Sequence, residues 1–379
     1  MKMKLSSRSD GRSDRGAVML WFAASVVVSL GMGALVIDMG ALWSERRQLQ
    51  NGADAAALAV GIECAYGPCV APEAIAQEYA DLNVNDGSAN IDSICGLPSP
   101  LMACPPPPGA ENALGFVEVI TGTAGDGSSQ IKYLLAPILE GTDSGKHVTA
   151  RAVAAWGTPM GAPIMPFVFS KCVVEPFRGS DGTMNFPNSI SMLKFHNAES
   201  ELDPTSEESV CNANQANLDL KWPAGFGFTG SPSTGCESET VTLNPDDGSG
   251  TQTGSINGEN NGNSIGQECT AELIRRYNLD LPVLVPVMTW RTGNGGTTIW
   301  EIDGFVAVSI CAFDLSGSDR LELNGCGSSG ASGNTSCEAP KINGKAPRRI
   351  CGVFQPYTLT DGDLGNSNDY GTRVIKLIG

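Results

Sequence analysis

Histidine is scarce: the chain of 379 residues holds two, His147 and His196. A histidine-built metal centre or catalytic triad is therefore poorly supplied, and no G-x-S-x-G elbow lies near either one. Cations are short as well, with 24 Lys and Arg against 41 Asp and Glu, a net charge of −17. Without a basic surplus to displace counterions from phosphates, nucleic-acid binding is excluded. No glycine-rich loop carries a Lys-Ser or Lys-Thr tail, so an ATPase cradle is missing and the energy for any assembly step has to come from a partner. No C-x-x-C pair occurs among the twelve cysteines. That spacing counts against zinc and leaves disulfides as the stronger reading.

A long apolar run is present. Residues 1–16 hold five basic residues (Lys2, Lys4, Arg8, Arg12, Arg15) against Asp10 and Asp14, and Ala17 to Ile37 then contains no charged residue. As a helix those 21 residues span about 31 Å, the hydrocarbon thickness of a bilayer. The far flank (Asp38, Glu45, Arg46, Arg47) sums to zero, so the basic excess precedes the span. The positive-inside rule then predicts a cytoplasmic N-terminus with the bulk of the chain across the membrane. A cleaved signal peptide is the alternative, but its apolar region is shorter and ends at a small-x-small site. Residues 1–47 take seven of the basic and four of the acidic residues, leaving 17 basic against 37 acidic in the remainder. All twelve cysteines, from Cys64 onward, also lie beyond the span. An even count confined to the exported part predicts disulfides in an oxidising compartment.

The helical pattern does not stop at the membrane. Leu35, Leu42, Leu49 and Ala56 recur every seven residues, and no proline intervenes before Pro68. This predicts one continuous helix to about Gly61, half lipid-embedded and half aqueous, with a narrow alanine-rich stripe for close packing. Ser25, Ser29 and Gly33, spaced by four, would let two membrane helices approach.

Arg15-Gly16 before the span, Asp38-x-Gly40 at its end, and LWSERRQLQNGADAAALAVG (42–61) carry a resemblance to the TadG-like branch of the Tad (tight adherence, Flp pilus) assembly family. Looser patterns resemble the family further on. They are PEAIAQEYADLN (72–83), FVEVIT (116–121), IKYLLAPILEG (131–141), VTARAVAAW (148–156), WPAGFGF (222–228), GNSIGQEC (262–269), LPVLVPVMTW (281–290) and WEIDGFVAVSICAF (300–313). The resemblance implies a single-pass bacterial inner-membrane protein that helps build or anchor Flp pili, with pilus or secretion subunits as partners and no catalytic residues. Prepilin-type relatives carry a Glu five residues after the cleaved Gly. Here that position is Trp21, which favours a permanent anchor.

The expected fold is α+β: a cytoplasmic tail (1–16), the transmembrane helix and its aqueous extension (17–61), an α+β periplasmic domain (62–170) and a β-rich periplasmic lobe (171–379). A helix is predicted after Pro72, strands at 116–121, 353–359 and 372–378, a short helix at 131–139, and a hairpin of 283–290 and 298–308 around a glycine-rich turn. Prolines and glycines at 157–170 suggest a joint, and residues 246–268, with six glycines, an exposed mobile loop. Twelve cysteines allow roughly ten thousand full pairings. Proximity favours Cys64–Cys69, Cys95–Cys104 and Cys326–Cys337, and Cys236 and Cys269 flank the glycine-rich stretch and could close it.

Two polar groups invite a functional reading. Asp314, Ser316 and Ser318 after an apolar strand resemble a metal-ion-dependent adhesion site, which would make the chain an adhesin-like binding module. Too little chain follows for the domain such a motif opens, and a polar turn is the better reading. Asp361-Gly362-Asp363-Leu364-Gly365-Asn366 inverts the EF-hand order at its fifth and sixth places and reads as a turn. No catalytic, cofactor-binding or metal-binding residue is assigned, and no cofactor is implied. The remaining alternative, a secreted hydrolase, lacks a plausible base.

Overall fold

The computed structural model describes residues 14–85, 87–124, 131–132, 145–179, 182, 184–186, 191–194, 226–228, 236, 239–244, 252–257, 266–292, 299–314, 320–322, 349–359 and 361–378. The chain divides into two compact units. The first comprises Met1–Val60, Ala71–Cys95 and Glu118–Val153; the second Gly61–Val70, Gly96–Val117 and Ala154–Gly379.

The first unit is built on α1, a helix of 53 residues from Asp14 to Tyr66, which belongs to this unit as far as Val60. With no proline before Pro68 and alanine-rich turns, nothing in the sequence breaks it. Its buried positions are Ala34, Asp38, Leu49, Ala53, Ala56, Ala57 and Val60. The predicted seven-residue stripe holds at Leu49 and Ala56, but Leu35 is 61% exposed. A straight helix turns once per 3.6 residues, so a strict heptad drifts by ~20° each repeat and leaves the buried face. Spacings of three and four keep Ala34, Asp38 and Leu49 on it.

Helix α2 (Pro72–Leu82) starts on its proline and buries Ala76 and Ala80. Gly52 of α1 explains the close approach of the two helices: a Cβ there would lie 3.2 Å from the Ala80 carbonyl oxygen. The backbone N–H of Asn85 donates to Gln48 Oε1 at 3.1 Å. Strands β1 (Ala89–Leu97), β2 (Gly115–Thr123) and β5 (Thr149–Pro159) lie in that order in one sheet. The buried Thr121 hydroxyl donates to the Leu49 carbonyl of α1 at 2.9 Å, and Gln50 Nε2 donates to the Arg151 carbonyl at 3.0 Å. The helix predicted at 131–139 begins instead as β3 (Ile131–Lys132), antiparallel to β4 (Gly145–Lys146); residues 133–139 lie outside the described residues.

The second unit is dominated by a sheet of order β8-β15-β13-β12-β7-β9, with β11 and β14 also on β13. Its strands are β7 (Phe167–Ser170), β8 (Ser191–Lys194), β9 (Phe226–Phe228), β11 (Gly254–Asn257), β12 (Val283–Thr292), β13 (Ile299–Asp314), β14 (Arg320–Glu322) and β15 (Arg349–Gln355). The predicted hairpin is the β12–β13 pair, from Val283 opposite Val308 to Thr292 opposite Ile299. Val283, Val285 and Val287 join one core cluster and Leu284 and Met288 another. Both faces of β12 are thus covered, which is why LPVLVPVM reads as a continuous apolar run. Pro286 has no N–H to donate, and the ladder with β7 begins one residue later, at Val287.

Residues 157–170, suggested as a joint, fold as the end of β5, then β6 (Gly161–Ile164) and β7, almost wholly buried. Pro159 ends β5, Pro163 lies within β6, and Pro166 falls in the bend before β7. The exposed loop predicted over 246–268 does not hold for β11, which pairs with β13 and buries Ile256. Pairing with β13 supplies the hydrophobic partner that a glycine-rich stretch lacks alone. Helix Gly266–Asn278, here α4 after the short α3 (Lys171–Val174), was not read from the sequence. Its signal was available in Cys269 and Leu273, both buried and spaced by four. Pro356 splits the strand predicted at 353–359 into β15 and β16 (Tyr357–Leu359). The last strand, β18 (Thr372–Leu377), pairs antiparallel with β5, Val374 opposite Gly157 and Leu377 opposite Ala154, and parallel with β16.

Cys64 is bonded to Cys69, a pair favoured by proximity, and Cys236 to Cys269, the pair expected to close the glycine-rich stretch. Cys95, Cys104, Cys311 and Cys351 are also disulfide-bonded. Cys326 and Cys337 lie outside the described residues.

Candidate membrane anchor and a buried carboxylate cluster

Apolar side chains surround the first half of α1. Val18, Leu20, Trp21, Phe22 and Val27 are all at least two-thirds exposed. In water such a surface would be costly on every side; in a bilayer it is matched to its solvent. This is the one helix among the described residues long and apolar enough to cross a membrane. Arg47 lies 4.4 Å from the ring centroid of Trp43, an aromatic–cation pair of the kind that suits a membrane–water boundary. Ser25 turns its hydroxyl back onto the Phe22 carbonyl at 2.8 Å, and a Cβ on Gly33 would meet no heavy atom within 4 Å.

The C-terminal end of α1 is gripped within the second unit. A Cβ on Gly61 would lie 3.2 Å from the Ala154 Cβ and 3.7 Å from Ile375. The Tyr66 hydroxyl donates to the Tyr357 carbonyl at 2.7 Å and lies 3.0 Å from Thr358 Oγ1, and the Arg373 guanidinium lies 5.3 Å from the Tyr66 ring centroid. Burial pushes the Tyr66 hydroxyl up to about 12, against the opposing hydrogen bond with Thr358 and the Arg373 charge. Disulfide Cys64–Cys69 closes the turn that follows.

Elsewhere in this unit, sequence reading missed a polar cluster around Asp303. Its residue is 3% exposed in β13, where the alternation of the strand turns it inward. Lys171, at the start of α3, places Nζ 3.4 Å from Asp303 Oδ2. Asn368 Nδ2 donates to the same oxygen at 2.8 Å. The Tyr370 hydroxyl lies 3.1 Å from each carboxylate oxygen. Arg178 Nη2 donates to Asn368 Oδ1 at 3.3 Å, and its guanidinium sits 5.3 Å from the Tyr370 ring centroid. Burial raises the Asp303 carboxyl above the usual range, opposed by Lys171 and by the hydrogen bonds. Burial also raises the Tyr370 hydroxyl, helped by the Asp303 charge. Lys171 is 132 residues from Asp303 and Asn368 65 residues, so no local motif announces the group.

The sequence candidates fare differently. Asp314 ends β13, its backbone opposite Arg320 and Arg349; Ser316 and Ser318 lie outside the described residues. In the Asp361–Asn366 stretch, Leu364–Gly365 forms β17 against Pro159 and Thr158, and Asp363 faces Lys376 Nζ at 3.4 Å. His147 sits between Asp92, at 2.7 Å from Nε2, and Thr123 Oγ1, at 3.1 Å from Nδ1; His196 lies outside the described residues. Among the described residues no three His, Cys, Asp or Glu converge as a metal site.

These features define a protein with an N-terminal helix long and apolar enough to serve as a membrane anchor and an α+β, disulfide-bonded remainder. Residues 16–63 match the family model of Tad, described as putative Flp pilus-assembly TadE/G-like. The likeness to that family is carried by this segment, which spans the apolar run and the helix that continues from it. The curated proteins and the solved structures contain no match to it.

Proposed function

We propose that the protein is a non-enzymatic, single-pass inner-membrane component of Flp pilus assembly. Ala17–Ile37 crosses the bilayer, the basic N-terminal tail stays in the cytoplasm, and the acidic, disulfide-bonded bulk is periplasmic, where it binds pilus or secretion subunits. The observation that carries this reading is the continuity of α1. One helix runs from a segment exposed and apolar on all sides into a segment whose alanines and leucine are buried in folded protein. A rod of that kind gives the folded part a set height and rotation relative to the membrane, which a flexible linker would not. In this role the chain turns over no substrate, and the work is anchoring and binding.

Deletion of the gene, with complementation by the full chain, tests this. Surface pili should be lost on deletion and restored on complementation, scored by electron microscopy; unchanged piliation would overturn the assignment.

A further inference from the structure

The cluster around Asp303 contains the parts of a self-made covalent cross-link. We propose that Lys171 and Asn368 form an intramolecular isopeptide bond, with Asp303 as the catalytic acid–base. This goes beyond the anchoring role and does not rest on it.

The geometry supplies each part. Lys171 Nζ and Asn368 Nδ2 both contact Asp303 Oδ2, at 3.4 and 2.8 Å, which holds the two nitrogens within roughly 6 Å of each other. Asn368 Oδ1, the oxygen that becomes negative when Cγ is attacked, accepts a hydrogen bond from Arg178 Nη2. A fixed cation there stabilises the developing charge. The Tyr370 hydroxyl holds the other side of the carboxyl group, and Asn368 is pinned by its own backbone N–H, which donates to the Asp303 carbonyl at 3.0 Å. Burial favours the neutral form of a carboxyl group, and the carboxyl of Asp303 is shifted that way.

The steps balance without any co-reactant. The Lys171 ammonium passes a proton to the Asp303 carboxylate, leaving a neutral amine and a neutral acid. The Nζ lone pair attacks Asn368 Cγ, and the tetrahedral oxygen is held by Arg178. Asp303 protonates Nδ2 and takes the excess proton from Nζ. The Cγ–Nδ2 bond breaks, ammonia leaves, and an Nζ–Cγ amide remains. Holding nucleophile and electrophile against one buried acid is what lets an unactivated amide react. The product would tie the residue after β7 to the loop before β18, joining covalently two segments of the second unit that are distant in sequence.

Mass spectrometry decides it. The full chain is isolated from the cell envelope, reduced and digested. The expected result is a branched tryptic peptide joining Lys171 to Asn368, lighter by one ammonia (about 17 Da) than its two linear parts. Lys171→Arg keeps the positive charge beside Asp303 and should return both linear peptides, as should Asp303→Asn. Two linear peptides from the unaltered chain would overturn the proposal, as would a branched peptide joining Lys171 to Asp303 with loss of water.

Discussion

Two stretches of one helix behave as different materials. Residues 17–43 of α1 are apolar and open around most of their circumference, whereas from Leu49 to Val60 the exposed apolar residues give way to a line of buried alanines. Backbone hydrogen bonding is the same in both. What differs is the solvent each is written for: a bilayer accepts apolar groups on every face, while water demands that they be gathered on one stripe and covered. Asp38, the first charged residue after the uncharged run, is buried.

The comparison can be broken first by placing a charge in each half. Leu49 is fully buried, so Leu49→Asp should cost more than about 3 kcal/mol of folding stability, seen as a collapsed thermal transition in detergent, with the chain still resisting alkaline extraction. Val27→Arg should do the reverse. It adds about 3 kcal/mol to membrane insertion, moving chain into the extractable fraction while leaving the melting transition in place. If either substitution produces both defects, the division of labour along α1 is wrong.

A smaller effect sharpens the same contrast. Ala57 is fully buried and Ala24 exposed. Ala57→Leu should destabilise by about 1–3 kcal/mol through overpacking, whereas Ala24→Leu should leave the melting temperature unchanged.

The smallest effect lies at the aqueous end of the helix. Tyr66→Phe removes one hydrogen bond to the Tyr357 carbonyl, worth about 1 kcal/mol. Because the folded protein holds this hydroxyl at about 12 rather than 10, its contribution is fully present below pH 10. It falls as pH rises toward 12, where the unfolded chain has already released its proton. Urea unfolding across that interval should show the loss in the unaltered protein and a flatter profile in Tyr66→Phe.

Much of this architecture was legible in the residues. The uncharged run to Ile37, the unbroken helix beyond it, the Pro72 start of α2, the β12–β13 hairpin and two of the disulfide pairs all follow from local signals. The errors have a common cause. The heptad stripe at Leu35 assumed a supercoil that a straight helix does not have. The glycine-rich 246–268 stretch read as an exposed loop because its composition is poor in strand formers. Pairing of Gly254–Asn257 with β13 overrides that weak local preference.

Chain composition and order alone determined the apolar N-terminal helix, the gathering of the acidic surplus and the cysteines in the chain beyond it, and the α+β class, since each depends on runs of neighbouring residues acting on a uniform solvent. Only the tertiary structure decided that Lys171, Arg178, Asp303, Asn368 and Tyr370 share one buried carboxylate. Contacts between residues far apart in the chain depend on strand pairing and register, and no window of adjacent residues contains that information.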